Sequence, residues 1–146
     1  MKAVALLSGG LDSVVSMLLA SKEVEIVLAI TVDYGQRAAK QEIAASQRIA
    51  HDMGIPHQVI CLPFMMELNS DLLKPGNSCI VNPWVPNRNG LLISLAACLA
   101  ENLGAQMVIC GFNREEAAIF PDNSSSFIEA VNSALSYSTR NHVFAK

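Results

Sequence analysis

Apolar residues follow two alternating spacings along the first half of the chain. Residues 3–7 form an unbroken apolar run, and residues 26–32 form a second run interrupted only by Thr31. Such runs are typical of strands that are buried on both faces of a sheet. After them, residues 11–21 and 36–53 place apolar side chains at helical intervals, which predicts a helix following each strand. Gly54 is placed to end the second helix.

The second half of the chain predicts further strands and helices around a long irregular segment. Residues 57–62 and 106–111 are predicted strands, and residues 90–103 are apolar nearly all round, which predicts a helix buried by the sheet or by a partner subunit. Ser126 and Glu129 match a capping box before a last helix. Residues 63–89 hold four prolines, but their apolar content predicts a packed flap with a short helix and not disorder.

This alternation of strands and helices predicts a single α/β domain over residues 1–146, with an irregular insert at about 63–89. Its expected architecture is a doubly wound parallel sheet with helices on both faces. In such sheets, ligands bind beyond the carboxyl ends of the strands, where the strand order reverses. Motifs that follow predicted strands are therefore the candidates for a site.

Composition excludes several classes of function. A chain of 146 residues with 51% apolar content suits one globular core, and a net charge of −3 with ten Lys+Arg favours a small-molecule substrate over nucleic acid. The N-terminal apolar run is too short for a signal peptide, and no stretch approaches the ~18 apolar residues of a membrane span. Widely separated cysteines without zinc-binding spacing predict reduced thiols, three of them in buried surroundings, and a cytoplasmic protein. They are Cys61, Cys79, Cys98 and Cys110.

The segment S-G-G-L-D-S at residues 8–13 separates the first predicted strand from the first helix. Its glycines let backbone N–H groups approach an anion, the helix N-terminus adds about half a positive charge, and Ser8 and Ser13 offer hydroxyls. The segment matches neither the lysine-containing phosphate loop nor the glycine pattern of dinucleotide-binding folds. The alternative interpretation is a sharp turn in which Asp12 or Ser13 is a plain helix cap.

The loop resembles the S-G-G-x-D-S signature of the PP-loop ATP pyrophosphatase superfamily, whose members use ATP to adenylate a substrate oxygen. Further segments are similar to the 7-cyano-7-deazaguanine synthases of that superfamily. These are D-Y-G-Q-R at residues 33–37, and V-P-N-R-N at residues 85–89 where those enzymes have V-P-G-R-N. Downstream are G-F-N-R-E-E at residues 111–116, F-P-D-N at 120–123 in place of Y-P-D-C, and F-I-E-A-V-N at 127–132.

The resemblance implies an enzyme of queuosine biosynthesis that converts 7-carboxy-7-deazaguanine and ammonia into 7-cyano-7-deazaguanine, with ATP and Mg²⁺. The loop would hold pyrophosphate as a leaving group, so a lysine for γ-phosphate transfer is not expected. Adenine would bind near the end of the second strand. The ATP-binding residues implied in this way are Leu7, Ser8, Gly9, Gly10, Leu11, Asp12, Ser13, Val14, Asp33 and Tyr34.

Charge balance singles out two arginines for the implied reaction. The loop carries no cation, so Arg37 and Arg88 are the candidates to stabilise the triphosphate and the departing pyrophosphate. The alternative for Arg37 is a solvated helix start. Asp12 is interpreted as a cap that shapes the loop and that lies near Mg²⁺.

Recognition of the base is assigned to residues later in the chain. Asp122 suits the N1–H and exocyclic amine of a guanine-like ring, or alternatively caps a helix. Asn89 and Glu115 complete the predicted substrate-binding set, although Glu115 is also compatible with simple exposure. His51 and His57 have no triad-like partner in the sequence and are expected to be exposed.

The resembled family also has a C-terminal cysteine cluster that binds Zn²⁺. The chain has no counterpart of that cluster, so the zinc ligands are expected beyond Lys146. The apolar helix after Asn89 predicts a homodimer. Two alternatives stay open: another PP-loop enzyme that amidates a substrate or modifies tRNA, and a nucleotide-binding module without catalysis.

Overall fold

The computed structural model describes residues 1–68, 70–76, 79–80, 83–112 and 117–146. None of the helices in these ranges has the length and apolar character needed to cross a membrane. The strands are β1 (Lys2–Leu6), β2 (Glu25–Asp33), β3 (His57–Cys61), β4 (Met107–Ile109) and β5 (Phe144–Ala145). The α-helices are α1 (Leu11–Ala20), α2 (Ala39–Asp52), α3 (Arg88–Asn102) and α4 (Ser125–Ser138), and short 3₁₀ helices occupy Pro63–Glu67 and Pro121–Asn123.

The strands form one sheet in the order β3-β2-β1-β4-β5, and every neighbouring pair is parallel. The central strand β1 pairs with β2 on one side, where Ala5 lies opposite Ala29, and with β4 on the other, where Ala5 lies opposite Ile109. The strand order reverses at β1, because the chain runs outward to β3 and then crosses back to β4. The predicted doubly wound parallel sheet is confirmed, with its switch point beside the loop that follows β1.

Helices cover both faces of the sheet. Ala5 of β1 packs against Met17 of α1 on the face that α2 also covers, whereas Val4 faces Ile93 of α3 and Leu135 of α4. Because successive side chains of a strand point to opposite faces, β1 is buried on both. Complete burial of an aliphatic side chain the size of Ile93 contributes about 1.5–3 kcal/mol, so these contacts hold β1 and the start of its loop firmly in place.

The segment between β3 and α3, which we call the flap (residues 63–87), has a core of its own. Met65 and Val85 are buried against Val32 and Tyr34, which lie at and just beyond the end of β2. Leucines from the flap and from α3 surround this group: Leu62, Leu68, Leu72, Leu73, Leu91, Leu92 and Leu95. The prediction of a packed flap with a short helix is confirmed. The sheet and the flap together account for the burial of α3, so this helix does not require a partner subunit.

Three details differ from the sequence predictions. The cap of α4 is Ser124 and not Ser126, because the preceding 3₁₀ turn ends at Asn123 and lets the Ser124 Oγ accept the N–H of Phe127 at 3.1 Å. Strand β5 lies outside the predicted elements, since two residues carry no readable spacing. The expectation of three buried thiols is wrong: Cys61, Cys79 and Cys98 are exposed at a sheet edge, in the flap and on the outer side of α3, and only Cys110 is buried.

Candidate active site

A cavity of about 380 Å³ opens at the carboxyl ends of β1 and β2, beside the N-termini of α1 and α3. Ligand sites in proteins are typically clefts of roughly 300–1,000 Å³, and doubly wound sheets place them at this position. Its lining residues are Leu6, Leu7, Ser8, Gly10, Leu11, Asp12, Ser13, Ile30, Thr31, Val32, Tyr34, Gln36, Glu42, Arg88, Asn89, Leu92, Gly111, Phe112 and Asn123.

Most of the predicted site residues meet in this cavity. The ones that line it are Leu7, Ser8, Gly10, Leu11, Asp12, Ser13, Tyr34, Arg88 and Asn89. The ones that do not line it are Gly9, Val14, Asp33, Arg37 and Asp122. Glu115 lies outside the residues that the structure describes.

Gly9 fixes the path of the loop between β1 and α1. Its φ of +75° is a conformation that side chains other than glycine rarely adopt, and a Cβ at this position would lie 2.7 Å from the Cβ of Ala45 and 3.2 Å from the carbonyl of Glu42. The loop therefore packs directly on α2, and this contact requires glycine. This close approach explains the first of the two adjacent glycines only, because Gly10 has a φ of −74° and a Cβ there would meet only the Ser8 Oγ at 3.4 Å.

The two serines close the loop on itself. The Ser13 Oγ donates to the carbonyl of Gly10 at 3.0 Å and accepts the backbone N–H of Ser8 at 3.2 Å. Since the only hydroxyl proton of Ser13 is used in this way, the Ser8 hydroxyl donates across the 3.1 Å between the two Oγ atoms. The loop is therefore built before any ligand arrives, and its exposed edge is the N-terminus of α1.

Asp12 is not a helix cap. The N-cap of α1 is Gly10, which is extended and forms no side-chain capping bond, and Asp12 follows in the first turn of the helix. The interpretation of Asp12 as the helix cap is therefore wrong, and Ser13, also in the first turn, has the side chain that bonds to the loop backbone. Asp12 contributes a carboxylate to the mouth of the cavity.

Gly111 packs against the end of the loop at residues 8–13, although it is not among the site residues predicted from the sequence. A Cβ at Gly111 would lie 2.5 Å from the Cα and 2.6 Å from the backbone N of Ser13. The chain after β4 therefore touches the backbone of α1 where the loop ends. The signal in the sequence is a glycine directly after a strand that neighbours the loop-bearing strand.

The carbonyl of Leu7 anchors the start of the loop. It accepts the Thr31 hydroxyl at 2.7 Å and the Ser46 hydroxyl at 3.2 Å. His57 Nε2 lies 2.7 Å from the same Thr31 oxygen and must carry the proton of that hydrogen bond, because Thr31 donates its own to Leu7. His57 is thus half-buried, which corrects the expectation of exposure, and its burial lowers the pKa of the imidazole. His51 is exposed, as predicted.

A buried glutamine organises the end of β2. The side chain of Gln36 is only 6% exposed; its Oε1 accepts the backbone N–H of Tyr34 at 2.9 Å, and its Nε2 donates to the carbonyl of Val32 at 3.0 Å and to Glu42 Oε2 at 2.6 Å. Asp33 bonds instead to the backbone N–H of Gly35 at 3.0 Å. Gln36 was absent from the predicted site residues, and its signal is the glutamine of the D-Y-G-Q-R motif.

The two predicted arginines have different positions. Arg88 lines the cavity at the N-terminus of α3, and its Nη1 donates to the Tyr34 hydroxyl at 3.3 Å. Burial raises the pKa of that hydroxyl, against the opposing effect of the nearby Arg88 charge. The backbone N–H of Arg37 donates to the carbonyl of Leu72 at 2.9 Å, and its side chain donates to the carbonyl of Lys74. Arg37 therefore ties α2 to the flap.

The residue before Arg88 explains one departure from the resembled motif. Asn87 has φ of +52° and ψ of 25°, which is the left-handed conformation. Glycine adopts this conformation most easily, and asparagine is among the few other residues that do so regularly. Asn87 can therefore replace the glycine of V-P-G-R-N without changing the turn that presents Arg88.

The far wall of the cavity combines Asn89 with the 3₁₀ turn before α4. Asn89 is buried, and its Nδ2 donates to the carbonyl of Asp122 at 3.2 Å and lies 3.5 Å from Asn123 Oδ1. Among the described residues, Asp122 Oδ1 and Asn123 Nδ2 are buried side-chain atoms without a hydrogen-bond partner. Trp84 of the flap stacks on Phe120 at 6.0 Å, next to this turn.

The described part of the chain offers no cluster of three or more histidine, cysteine or acidic residues that could hold a metal ion. Burial raises the pKa of the Cys110 thiol to about 12, which opposes the thiolate form that zinc needs. The residues that the structure describes therefore do not fit a zinc site. The hard oxygen donors of Asp12, Ser8 and Ser13 at the cavity fit Mg²⁺, which binds through one or two carboxylates and substrate phosphates.

Comparison with solved structures supports the fold. The chain superposes with a TM-score of 0.56 on an NH3-dependent NAD synthetase from Campylobacter jejuni, with 19% identity, over 79% of this chain and 48% of that one. A predicted subunit of a tRNA methyltransferase from Methanocaldococcus jannaschii gives a TM-score of 0.59 with 20% identity, over 100% of this chain and 66% of that one. At these identities the likeness concerns architecture alone.

Sequence comparison is more specific. The chain is 47% identical to a 7-cyano-7-deazaguanine synthase of Desulforudis audaxviator, over 95% of this chain and 71% of the relative. It is 48% identical to a synthase of the same name from Bdellovibrio bacteriovorus, over 97% of this chain and 70% of the relative. A family profile described as queuosine biosynthesis protein QueC matches residues 2–145. The chain belongs to the QueC family.

Proposed function

We propose that this protein is an ATP-dependent ligase that converts 7-carboxy-7-deazaguanine and ammonia into 7-cyano-7-deazaguanine. The observation that carries the proposal is the loop at residues 8–13, which presents a helix N-terminus and two serines to a cavity and contains no lysine. Such a loop suits pyrophosphate as a leaving group better than a transferred γ-phosphate. The related synthases carry the name of this reaction.

In the proposed complex, ATP lies with its β- and γ-phosphates against the loop formed by residues 7–14. The backbone N–H groups at the start of α1 face the phosphates, and the adenine lies near Asp33 and Tyr34. Arg88 provides a positive charge at the cavity, whereas Arg37 supports the flap. When bound, Mg²⁺ neutralises phosphate charge, and Asp12 is the carboxylate placed to hold it.

The base is proposed to lie against the far wall. Asp122 stays a prediction as a substrate-binding residue: its Oδ1 is buried and has no partner among the described residues, in the turn that Asn89 holds, but it does not line the cavity. Glu115 stays a prediction as a third substrate-binding residue.

The reaction needs no protein nucleophile. A carboxylate oxygen of the substrate attacks the α-phosphorus of ATP and pyrophosphate leaves into the loop, which gives an acyl adenylate. Ammonia displaces AMP to form the amide, and the released proton passes to solvent. The amide oxygen then attacks the α-phosphorus of a second ATP and pyrophosphate leaves again; loss of AMP and of the two amide protons gives the nitrile. The protein contributes orientation and charge stabilisation.

Conversion of the base tests the proposal directly. The purified chain is incubated with ATP, Mg²⁺, ammonium and 7-carboxy-7-deazaguanine, and the base is followed by mass spectrometry beside the Bdellovibrio bacteriovorus synthase. The expected products are the amide and the nitrile, with AMP and pyrophosphate. A chain that leaves the base unchanged while the relative converts it contradicts the proposal.

Three further assignments stay predictions. The exposed free thiols Cys61, Cys79 and Cys98 favour a reducing, cytoplasmic location, and the net charge of −3 favours small molecules over tRNA as substrates. A homodimer is tested by light scattering coupled to gel filtration. Zinc, whose ligands were expected beyond Lys146, is tested by elemental analysis.

A further inference from the structure

Asn123 is a buried residue at the wall of the cavity, and its side-chain amide has a donor without a partner among the described residues. It is 8% exposed and lines the same cavity as the loop at residues 8–13. Its Nδ2 has no acceptor among the residues that the structure describes. A buried N–H group without an acceptor costs free energy, so an acceptor brought by a ligand would gain the full hydrogen bond.

The orientation of this amide is set by its neighbour. Asn89 Nδ2 can only donate, so the atom it approaches at 3.5 Å must be the oxygen of Asn123, and Nδ2 is left for another partner. The backbone beneath is fixed as well, because the N–H of Asn123 donates to the carbonyl of Phe120 at 3.0 Å. The hydrogen bond between the two amides is long and therefore weak, so a small rotation about the terminal torsion of Asn123 costs little free energy.

The neighbouring residue also has an unpaired polar atom, because Asp122 Oδ1 is a buried acceptor without a partner among the described residues, but Asp122 does not line the cavity. The residue of this turn that lines the cavity is Asn123, and its unpaired group is a donor. A donor at this wall matches the C6 oxygen of a guanine-like ring, which accepts. The resembled motif Y-P-D-C has a cysteine at this position, and a thiol is a weaker donor than an amide.

We infer that Asn123 is a specificity-determining residue, which donates its Nδ2–H to the ring carbonyl of the deazaguanine substrate. This inference rests on the proposed function, because it names a contact of that same substrate. It predicts that the chain distinguishes the lactam ring from a ring that lacks the carbonyl oxygen.

Steady-state kinetics of Asn123→Ala and Asn123→Cys test this inference. Loss of one hydrogen bond to a neutral group predicts that Asn123→Ala raises KM for 7-carboxy-7-deazaguanine by about fivefold or more, with KM for ATP changed by less than about twofold. Asn123→Cys is expected to fall between wild type and Asn123→Ala. Asn102→Ala, at the exposed end of α3, is the matched control and should leave both KM values unchanged.

A substrate analogue separates recognition from a structural role. The 6-deoxo analogue of the base lacks the carbonyl oxygen and also the N1–H, because its ring is an aromatic pyrimidine, so wild type should bind it at least as weakly as Asn123→Ala binds the true substrate. Asn123→Ala should discriminate between the two compounds about fivefold less than wild type does, since its contact to the carbonyl oxygen is already lost.

Equal discrimination of the two compounds by wild type and Asn123→Ala, or an unchanged KM for the base in both Asn123 variants, overturns the inference and leaves the proposed function intact. If Asn123→Ala does not fold, as judged by thermal unfolding, the comparison is made with Asn123→Cys. Absence of any conversion of the base by the wild-type chain overturns the proposed function, and this inference with it.

Discussion

The two walls of the cavity differ in how completely their polar atoms are paired. On the phosphate side, Ser8 and Ser13 bond to each other and to the loop backbone, and the carbonyl of Leu7 accepts two hydroxyls. On the other side, Asp122 Oδ1 and Asn123 Nδ2 are buried without partners among the described residues. The loop is thus pre-organised, whereas the opposite wall keeps unpaired groups that a ligand would complete. A wall whose polar atoms are all paired is rigid, whereas a wall with unpaired polar atoms favours ligands that supply the missing partners.

The largest effect on stability and ATP binding is expected from Gly111→Ala, which adds a side chain next to the loop at residues 8–13. The added Cβ meets backbone atoms of Ser13, which cannot rotate away, so the cost should reach or exceed the upper end of the roughly 1–3 kcal/mol typical of overpacking. ATP binding should weaken by about tenfold or more. Thermal unfolding and calorimetric titration with ATP measure the two effects. Gly54→Ala is the comparison: its Cβ would meet nothing within 4 Å, so it carries only the backbone strain of φ +66°, about 1–2 kcal/mol, and should leave ATP affinity unchanged. An equal loss of ATP affinity in both variants would show that the contact of Gly111 with Ser13 does not support the loop.

Gly9→Ala probes the same wall from the side of α2. Two costs add here: the backbone strain of φ +75°, about 1–2 kcal/mol, and the contact of 2.7 Å with the Cβ of Ala45. Ala45→Gly removes the second cost alone, so the double variant should recover part of the lost stability and ATP affinity.

The control for this pair is Ala45→Gly by itself, which should lower stability only by the roughly 1 kcal/mol that glycine costs in a helix. Stabilities of the four proteins form a double-mutant cycle. Strict additivity of the two changes would mean that the loop does not pack on α2 as described.

Substitutions of the two arginines are expected to affect different properties: the rate of catalysis for Arg88 and the stability of the fold for Arg37. Arg88→Ala should lower kcat by about 100-fold, as for removal of one donor that stabilises developing charge, because Arg88 lines the cavity. Arg37→Ala should lower the thermal unfolding temperature and change kcat by less than about threefold, because its bonds go to the flap carbonyls of Leu72 and Lys74 and backbone bonds survive. Reversed effects in the two variants would exchange the roles assigned to them.

The smallest expected effect is a pH dependence of stability that comes from His57, whose partner Thr31 holds the start of the loop. The pKa of His57 is lowered by burial, so the folded protein binds fewer protons than the unfolded chain as pH falls below about 6.5. Stability should be complete above that pH and decline below it. His57→Gln keeps a donor for Thr31 and should flatten the decline, whereas the exposed His51→Gln should not. If the unfolding temperatures of all three proteins change with pH in the same way between pH 5 and 7.5, His57 is not the group that causes the decline.

Local patterns in the sequence predict most of the fold and the phosphate wall. Buried parallel strands are continuous apolar runs, and the serines and glycines of the loop lie within a few residues of each other, so their chemistry can be read directly. The remaining features depend on contacts between distant segments. Gly111 matters because the chain after β4 reaches Ser13, and His57 is half-buried because β3 pairs with β2 and brings it to Thr31.

Neighbouring residues in the sequence can also have unrelated roles. Gln36 points inward to the end of β2 whereas Arg37 bonds to the flap, so one motif contains a site residue and an architectural residue. Similarly, the carboxylate of Asp122 does not line the cavity and the amide of Asn123 does. Residue type alone favoured the charged member of each pair, and only the folded backbone distinguishes them.

The central claim is that pyrophosphate leaves from an α-phosphate attacked by the substrate carboxylate. Its most direct test uses 7-carboxy-7-deazaguanine labelled with ¹⁸O in the carboxylate, followed by mass spectrometry of the nucleotide products. We expect that the label passes to AMP, first as the amide forms and again as the nitrile forms, and that pyrophosphate stays unlabelled. Label in inorganic phosphate together with release of ADP would contradict it, because the oxygen would then have attacked the γ-phosphate.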